Sequence, residues 1–331
     1  MTDYRAWVVR TIGNGTTRSI ETRPVTALPD HPVLIEVHYS GLNYKDGLSA
    51  SGHRGVTRNY PQVPGIDAAG VVVQDTSGTF TPGSRVICTS YDLGMNTHGA
   101  FSEYIRVPAE WVIPLPAGLS LEKSMVLGSA GYTAALALWK MERCGQTPSM
   151  GPIAVTGASG GVGTMAVALL HLAGYQVIAG TGSPQHAAFL TGIGANEIRG
   201  REDFDDTSGK PLTRPEWAGA IDNVGGNTLA TLLKSCGRNG NVASIGLLAG
   251  SELQTTVFPF ILNGVNLLGI DSAETPRDLR EEVWHRLATN WRLPNLLELR
   301  TKVDWEDLDP WLDRILAGNT RGRVVVQIKT L

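Results

Sequence analysis

The sequence predicts an α/β protein in which a β-rich N-terminal region precedes a doubly wound parallel sheet. Two observations support this fold class. Short apolar segments at 153–156, 175–180, 219–222, 241–245 and 266–270 alternate with helical segments, a pattern typical of a parallel sheet with helices on both faces. In addition, the run PIAVTGASGGVG at 152–163 reads as a buried strand that breaks into a glycine turn and opens a helix.

The glycine turn is the strongest single indication of function. Glycines allow a tight turn and let the backbone approach a pyrophosphate, and the N-terminus of the following helix offers N–H groups and a positive dipole end. Glycines alone are weak evidence in a chain that contains 39 of them. The preceding strand, the apolar helix at 165–170 and the next strand near 175–179 strengthen the interpretation as a Rossmann dinucleotide site. A purely structural turn without a ligand is the alternative.

Composition excludes several other classes of protein. With 331 residues the chain is long enough for two domains, and its formal net charge of −3 with scattered basic residues gives no reason to expect a nucleic acid or membrane partner. No apolar run reaches the roughly 18 residues of a membrane span, and the N-terminus lacks the pattern of a signal peptide. Three cysteines without metal-like spacing indicate reduced thiols and a cytoplasmic protein.

The regions on either side of the central sheet differ from it. Strands are predicted at 32–39, 70–74, 84–88 and 100–107, and short strands separated by turns indicate a small barrel or sandwich. A helix is predicted over 121–141, although Gly128 and Gly131 weaken its start. Beyond residue 275 the chain becomes helical and ends in a strand at 323–328, which we expect to pair back with the N-terminal domain.

Several motifs together resemble the medium-chain dehydrogenase/reductase superfamily. They are SGLNYKDGL at 40–48, PGIDAAG at 64–70, GSAGYTA at 128–134, the glycine loop, WAGAID at 217–222, PFIL at 259–262 and GIDS at 269–272. The narrower resemblance is to the YhdH/YhfP-type quinone oxidoreductases, which include acryloyl-CoA reductases. It implies a discontinuous GroES-like β-barrel domain at 1–124 and 296–331, and a Rossmann domain at 125–295.

The same resemblance bears on metal use. Zinc-dependent members carry a cysteine and a Gly-His-Glu motif where this chain has Asn43 and residues 65–67, Gly-Ile-Asp. An amide and an aliphatic side chain cannot replace thiolate and imidazole as zinc ligands, and three cysteines cannot form a four-cysteine structural site. We therefore expect no metal and hydride addition to a conjugated double bond or a quinone, since a simple carbonyl would lack its Lewis acid.

The tip of the second central strand indicates the choice of cofactor. Residues 180–186, GTGSPQH, contain no carboxylate to bind a ribose 2′-hydroxyl, whereas Thr181, Gly182 and Ser183 suit the 2′-phosphate of NADPH. Related proteins often have an arginine where this chain has Ser183. Arg201 matches a second family arginine and is the expected phosphate ligand. Arg199 is the nearby alternative, and an ordinary surface arginine is the competing interpretation of Arg201.

The resemblance also implies the remaining site residues. Tyr44 would lie beside the nicotinamide, and Asn43 would orient the substrate or the nicotinamide. Tyr44 is either a proton donor or a wall of the pocket. The other implied cofactor contacts are Ser159, Gly160, Gly161 and Val162 along the pyrophosphate, Leu247, Ile261 and Ser272 at the nicotinamide half, and Arg323 from the returning strand. For Arg323 a salt bridge at the start of a strand is the alternative.

These expectations combine into one function with two alternatives. The chain is expected to be a zinc-independent, NADPH-dependent reductase of an activated C=C bond in a small-molecule substrate, with acryloyl-CoA or a related enone as acceptor. Reduction of quinones is the alternative within enzymes, and an NADPH-binding redox sensor without significant turnover is the alternative from another class. The family resemblance further implies a homodimer.

Overall fold

The computed structural model describes residues 3–13 and 15–329. Its strands are β1 (Asp3–Ile12), β2 (Gly15–Pro24), β3 (Val33–Leu42), β4 (Asp67–Asp75), β5 (Arg85–Thr89), β6 (Tyr104–Val107), β7 (Val112–Pro114), β8 (Ile153–Val155), β9 (Val177–Gly180), β10 (Glu197–Arg199), β11 (Trp217–Asp222), β12 (Cys236–Ser244), β13 (Asn266–Gly269), β14 (Arg300–Asp304) and β15 (Arg323–Gln327). Its helices are α1 (Tyr44–Ala50), α2 (Leu121–Arg143), α3 (Gly161–Leu172), α4 (Ala187–Gly192), α5 (Gly226–Lys234), α6 (Phe258–Asn263), α7 (Arg277–Ala288) and α8 (Asp309–Leu316).

The chain divides into two compact units. The first takes in the N-terminal residues up to Ser129, Ala273–Thr289 and the residues from Pro294 onward, and the second takes in Ala130–Ser272 with Asn290–Leu293. Residues 273–289, which we expected in the Rossmann domain, thus group with the first unit. Within the described ranges, no helix combines the length and apolar character that a membrane crossing needs.

The first unit is built on strands. A seven-stranded sheet has the order β14-β15-β3-β4-β5-β7, with β6 also paired to β3, and β1 and β2 form a separate antiparallel hairpin. The apolar face of the sheet is covered by buried side chains that include Trp7, Trp305 and Leu312. The predicted return of the last strand is confirmed, because β15 pairs antiparallel with β3 from Val324 opposite Leu42 to Gln327 opposite Tyr39.

The second unit contains the predicted doubly wound sheet. Its six strands are all parallel in the order β10-β9-β8-β11-β12-β13. The chain runs from β8 outward to β10 and then crosses back to β11, so the order reverses between β8 and β11. In open parallel sheets, ligands bind beyond the carboxyl ends of the strands at this point of reversal.

The five predicted central strands are confirmed, and the differences lie where the pattern is weak. The structure adds the short strands β7 and β14. It also adds β10, whose three residues Glu-Ile-Arg carry little apolar signal, and the hairpin β1–β2, whose second strand is largely polar. The strand predicted over 100–107 is confined to Tyr104–Val107. Its first part bonds elsewhere, since the Phe101 N–H donates to Pro64 O and the Phe101 carbonyl accepts from Trp7 N–H.

Candidate active site

The glycine loop connects β8 to α3 and has the backbone that its sequence predicts. Gly157 has a left-handed backbone with φ of 58°, and a Cβ at Gly163 would collide with the carbonyl oxygen of Gly157. Both positions therefore require glycine. The N–H groups in the first turn of α3 have no partners within the helix, and Gly161 and Val162 there are partly exposed. This arrangement fits a pyrophosphate at the start of α3.

A pair of hydroxyl groups links the glycine loop to the tip of β9. The Ser159 Oγ lies 3.1 Å from the Thr181 Oγ1, which also accepts the N–H of Ser183 at 3.1 Å. Thr181 itself donates its N–H to the carbonyl of Arg199 on β10. The structure thus brings Ser159, Thr181 and Ser183 together at the carboxyl ends of β8 and β9.

The two candidate arginines have different surroundings. Arg199 forms ion pairs with Glu197 and Glu216, so its charge is already balanced. Arg201 is exposed, and its guanidinium lies over Gly182 so closely that a Cβ there would collide with it. Among the described residues, no acidic side chain pairs with Arg201. Arg201 is therefore the arginine at the tip of β9 whose charge remains available to an anion.

The three residues expected at the nicotinamide half come from different segments of the second unit. Leu247 follows β12 and is 66% exposed, and Ile261 on α6 is 68% exposed. Ser272 accepts a hydrogen bond from the Thr133 hydroxyl at 2.7 Å. The backbone of Leu247 packs against Gly225, just beyond the end of β11.

Within the first unit, Asp67 is the centre of a buried polar network. Its carboxylate is fully buried and accepts hydrogen bonds from the Asn43 amide at 2.8 Å and from the Ser129 N–H at 2.9 Å. The Ser129 hydroxyl donates to it at 2.5 Å. The guanidinium of Arg323 lies 3.5 Å from the same carboxylate. Ser129 lies in the family motif GSAGYTA at 128–134, but sequence reasoning did not single it out as a site residue.

The side chains of Asn43 and Arg323 are engaged within this network. Asn43 donates its amide hydrogens to Gly41 O and to Asp67, and its Oδ1 accepts from Arg323 at 3.1 Å. Arg323 is 2% exposed and also donates to the carbonyls of Val126 and Leu42. Burial lowers the pKa of Arg323 while Asp67 opposes the shift. This geometry favours the ion-pair alternative for Arg323 and engages the Asn43 amide fully within the network.

Close packing explains two glycines that surround the ion pair. A Cβ at Gly41 or at Gly128 would press on the Asp67 carboxylate and on the Arg323 guanidinium. Gly128 also has a left-handed φ of 50° that interrupts the helical backbone of α2. At this break the N–H of the next residue, Ser129, donates to the Asp67 carboxylate. The glycine that weakens the helix therefore allows a hydrogen bond of the buried network to form.

Asp46 fixes the backbone around Tyr44. Its buried carboxylate accepts the N–H groups of Asn43 at 2.7 Å and of Gly65 and Ile66 at 3.0 Å, and burial raises its pKa to about 7. Tyr44 begins α1 and is 42% exposed. In the described part of the chain its hydroxyl has no hydrogen-bond partner. The result is an accessible phenol on a rigidly held loop.

At the two positions where the resemblance implies zinc ligands in metal-dependent members, this chain has the Asn43 amide, which donates to Asp67, and the buried aliphatic side chain of Ile66. Residues 3–13 and 15–329 contain no group of three or more His, Cys, Asp or Glu side chains that could jointly hold a metal ion.

Comparison with known proteins extends this picture over the whole chain. Residues 29–117 match the family model of the alcohol dehydrogenase GroES-like domain, and residues 161–289 match that of zinc-binding dehydrogenases. The putative quinone oxidoreductase YhfP of Bacillus subtilis is 45% identical over 310 residues, which cover 93% of this chain and 94% of YhfP. The acrylyl-CoA reductase AcuI of Ruegeria pomeroyi is 41% identical over 313 residues, 95% of each chain.

Two solved structures share the architecture. The yhdH oxidoreductase from Salmonella enterica in complex with NADP has a TM-score of 0.95 at 40% identity and covers 98% of this chain and all of its own. The Bacillus subtilis yhfP with NAD bound has a TM-score of 0.96 at 43% identity, with 99% and 100% coverage. These matches confirm the predicted combination of a GroES-like domain and a Rossmann domain. The chain belongs to the medium-chain dehydrogenase/reductase superfamily, in its YhdH/YhfP-type branch, and is an oxidoreductase.

Proposed function

We propose that this oxidoreductase is a zinc-independent, NADPH-dependent reductase that delivers hydride to the activated C=C bond of acryloyl-CoA or a related enone. The observation that carries the proposal is the chemistry at the two positions where zinc-dependent members have a thiolate and an imidazole: Asn43 has an amide already bonded to Asp67, and Ile66 has a buried aliphatic side chain. Without a Lewis acid, a conjugated thioester is a better hydride acceptor than a simple carbonyl. The similarity to AcuI over 95% of both chains supports the same substrate class.

In the proposed reaction the cofactor supplies the hydride, and residues of the protein supply the proton and hold the site in place. When bound, NADPH supplies the hydride that adds to the β-carbon of the enoyl thioester, and the α-carbon then needs a proton. We assign that proton to the Tyr44 hydroxyl, which is accessible and lies on the loop held by Asp46. Asn43 and Arg323 hold this loop against β15, so they act as positioning residues. The glycine loop with Ser159 to Val162 binds the pyrophosphate.

The test is the oxidation of NADPH, followed by absorbance, with acryloyl-CoA and separately with a benzoquinone. We expect saturable turnover of acryloyl-CoA. Turnover of the quinone alone would replace the proposal with the quinone reductase alternative, which the similarity to the putative quinone oxidoreductase YhfP supports. Tight cofactor binding without turnover of either acceptor would indicate a redox sensor, although such a protein has no need of an exposed Tyr44.

The preference for NADPH is the next part of the proposal, because the similar structures contain NADP in one case and NAD in the other. Arg201→Ala is expected to weaken NADPH binding by about ten- to a hundredfold, the effect of losing hydrogen bonds from a charged group to a phosphate. Binding of NADH, which lacks the 2′-phosphate, should stay nearly constant. Dissociation constants from fluorescence titration measure both.

Arg199→Ala is the matched control for that prediction. Arg199 lies two residues away and is paired with Glu197 and Glu216, so its loss should leave the ratio of NADPH to NADH affinity unchanged. A ratio that falls in Arg199→Ala and not in Arg201→Ala would assign the phosphate to Arg199.

A homodimer joined through the second unit and a cytoplasmic location complete the proposal. Strand β13 is an edge strand of the parallel sheet, and exposed apolar side chains lie on it, on α6 and on the residue that precedes α6, namely Leu267, Phe258, Ile261, Leu262 and Val257. An exposed edge with apolar neighbours favours pairing with a second copy. The three unpaired cysteines, two of them buried, support a reducing compartment.

We expect the wild-type protein to have the mass of a dimer at micromolar concentration, and the double variant Leu262→Glu with Leu267→Glu to have that of a monomer. The added carboxylates repel each other across a self-paired edge. Light scattering after size exclusion measures both masses, and NADPH binding by the variant checks that it has folded. A monomeric wild-type protein contradicts the proposed dimer.

A further inference from the structure

Asn223 lies at the point where the strand order of the parallel sheet reverses. It is the first residue after β11, and β11 is hydrogen-bonded to β8, from which the glycine loop departs. The side chain of Asn223 is adjacent to Gly157, the first glycine of that loop. No sequence motif assigns Asn223 a role.

The orientation of the Asn223 amide is fixed by its partners. Its Nδ2 donates to the Thr156 carbonyl at 2.8 Å, and its N–H donates to the Thr156 hydroxyl oxygen at 3.0 Å. A carbonyl only accepts, so the amide nitrogen must face Thr156 and the amide oxygen must face away. Asp222 tightens the turn, since it accepts from the Thr156 hydroxyl at 2.6 Å and from the Gly225 N–H at 2.8 Å.

The amide oxygen of Asn223 is buried, and no donor of the described residues bonds to it. The whole residue is 8% exposed. A buried acceptor without a donor costs free energy, and native structures rarely leave one unpaired except where a ligand or water completes it. Because the surrounding turn is rigid, this oxygen is held ready to accept a hydrogen bond.

The chemistry of the amide oxygen and the strand order of the sheet together indicate which group of the cofactor donates a hydrogen bond to Asn223. A carbonyl oxygen repels a phosphate and accepts from a hydroxyl. The 2′-phosphate side, with Thr181 and Arg201, lies at β9 and β10, whereas β11 lies on the other side of β8. We propose that Asn223 Oδ1 accepts a hydrogen bond from a hydroxyl of the nicotinamide-side ribose, which makes Asn223 a cofactor-positioning residue. This inference rests on the proposed NADPH dependence.

The test compares two ligands by calorimetric titration of the protein. NADP⁺ contains both riboses, whereas adenosine 2′,5′-bisphosphate lacks the nicotinamide-side ribose and keeps the contacts of Arg201. Asn223→Leu is expected to raise the dissociation constant of NADP⁺ about three- to tenfold, the effect of one lost hydrogen bond, and to leave that of the bisphosphate unchanged. Asn223→Ser, whose hydroxyl can still donate to Thr156, should show the same selectivity if the leucine variant does not fold.

Thr156→Val is the matched control, because it perturbs the same turn and leaves the Asn223 amide oxygen in place. It should change the two dissociation constants by the same factor. Equal weakening of both ligands in the Asn223 variants would overturn the inference and attribute the effect to the glycine loop. Unchanged binding of both ligands would also overturn it. Failure of the wild-type protein to bind NADP⁺ at all would overturn the proposed function together with the inference.

Discussion

Replacing Tyr44 by phenylalanine is expected to lower kcat for acryloyl-CoA by about 10²- to 10⁴-fold, the usual contribution of a positioned general acid. The phenol is the accessible hydroxyl on the loop held by Asp46, and its loss leaves proton delivery to water. Reduction of a benzoquinone should change little, because its anionic product is protonated by solvent. Steady-state kinetics with both acceptors on one preparation measure the two effects.

Tyr60→Phe is the control for that experiment. The Tyr60 hydroxyl donates to the Ser49 carbonyl at 2.7 Å and so supports α1 from the side. Its removal should reduce stability slightly and change kcat for acryloyl-CoA by no more than a few-fold. If Tyr44→Phe and Tyr60→Phe have equal kcat values close to the wild-type value, Tyr44 is a wall of the pocket and the proton comes from solvent.

The central sheet could be predicted because its signal is local. Strands such as β9 and β11 are completely buried, so their sequences are continuous runs of apolar and small residues between glycine-rich turns. The glycine loop and the Thr181–Ser183 tip are likewise contiguous segments whose chemistry is readable from neighbouring residues. By contrast, β10 and β2 are short or polar, and tertiary pairing gives them a structure that their own composition does not indicate.

The buried network of the first unit could not be predicted in the same way. Asp67 and Ser129 are 62 residues apart, and Asn43 and Arg323 are 280 apart, so no sequence window contains both partners. Gly128 illustrates the difficulty, because the sequence shows it as the start of the motif GSAGYTA and as a weak helix position, and neither feature identifies its neighbours. The structure gives the reason for the glycine: its left-handed backbone and missing Cβ make room for the Asp67–Arg323 pair.

That pair leads to the largest expected effect on stability. Arg323→Met is expected to reduce the free energy of unfolding by about 3–5 kcal/mol, the usual cost of leaving one partner of a buried ion pair uncompensated. The change leaves the buried Asp67 carboxylate without its cation. In addition, the carbonyls of Val126 and Leu42 and the Oδ1 of Asn43 lose the hydrogen bonds that Arg323 donates to them. Denaturant unfolding followed by circular dichroism measures the loss.

Arg10→Met is the matched control within the same unit. Arg10 pairs with Glu21 at 2.8 Å, but its side chain is 49% exposed, and exposed pairs contribute only about 0–1 kcal/mol. Adding Asp67→Asn to Arg323→Met should recover part of the lost stability, because the neutral amide no longer buries an unpaired charge. Should Arg323→Met cost no more than Arg10→Met, the guanidinium would not be holding the Asn43 loop, and the positioning role assigned to Arg323 would have to be withdrawn.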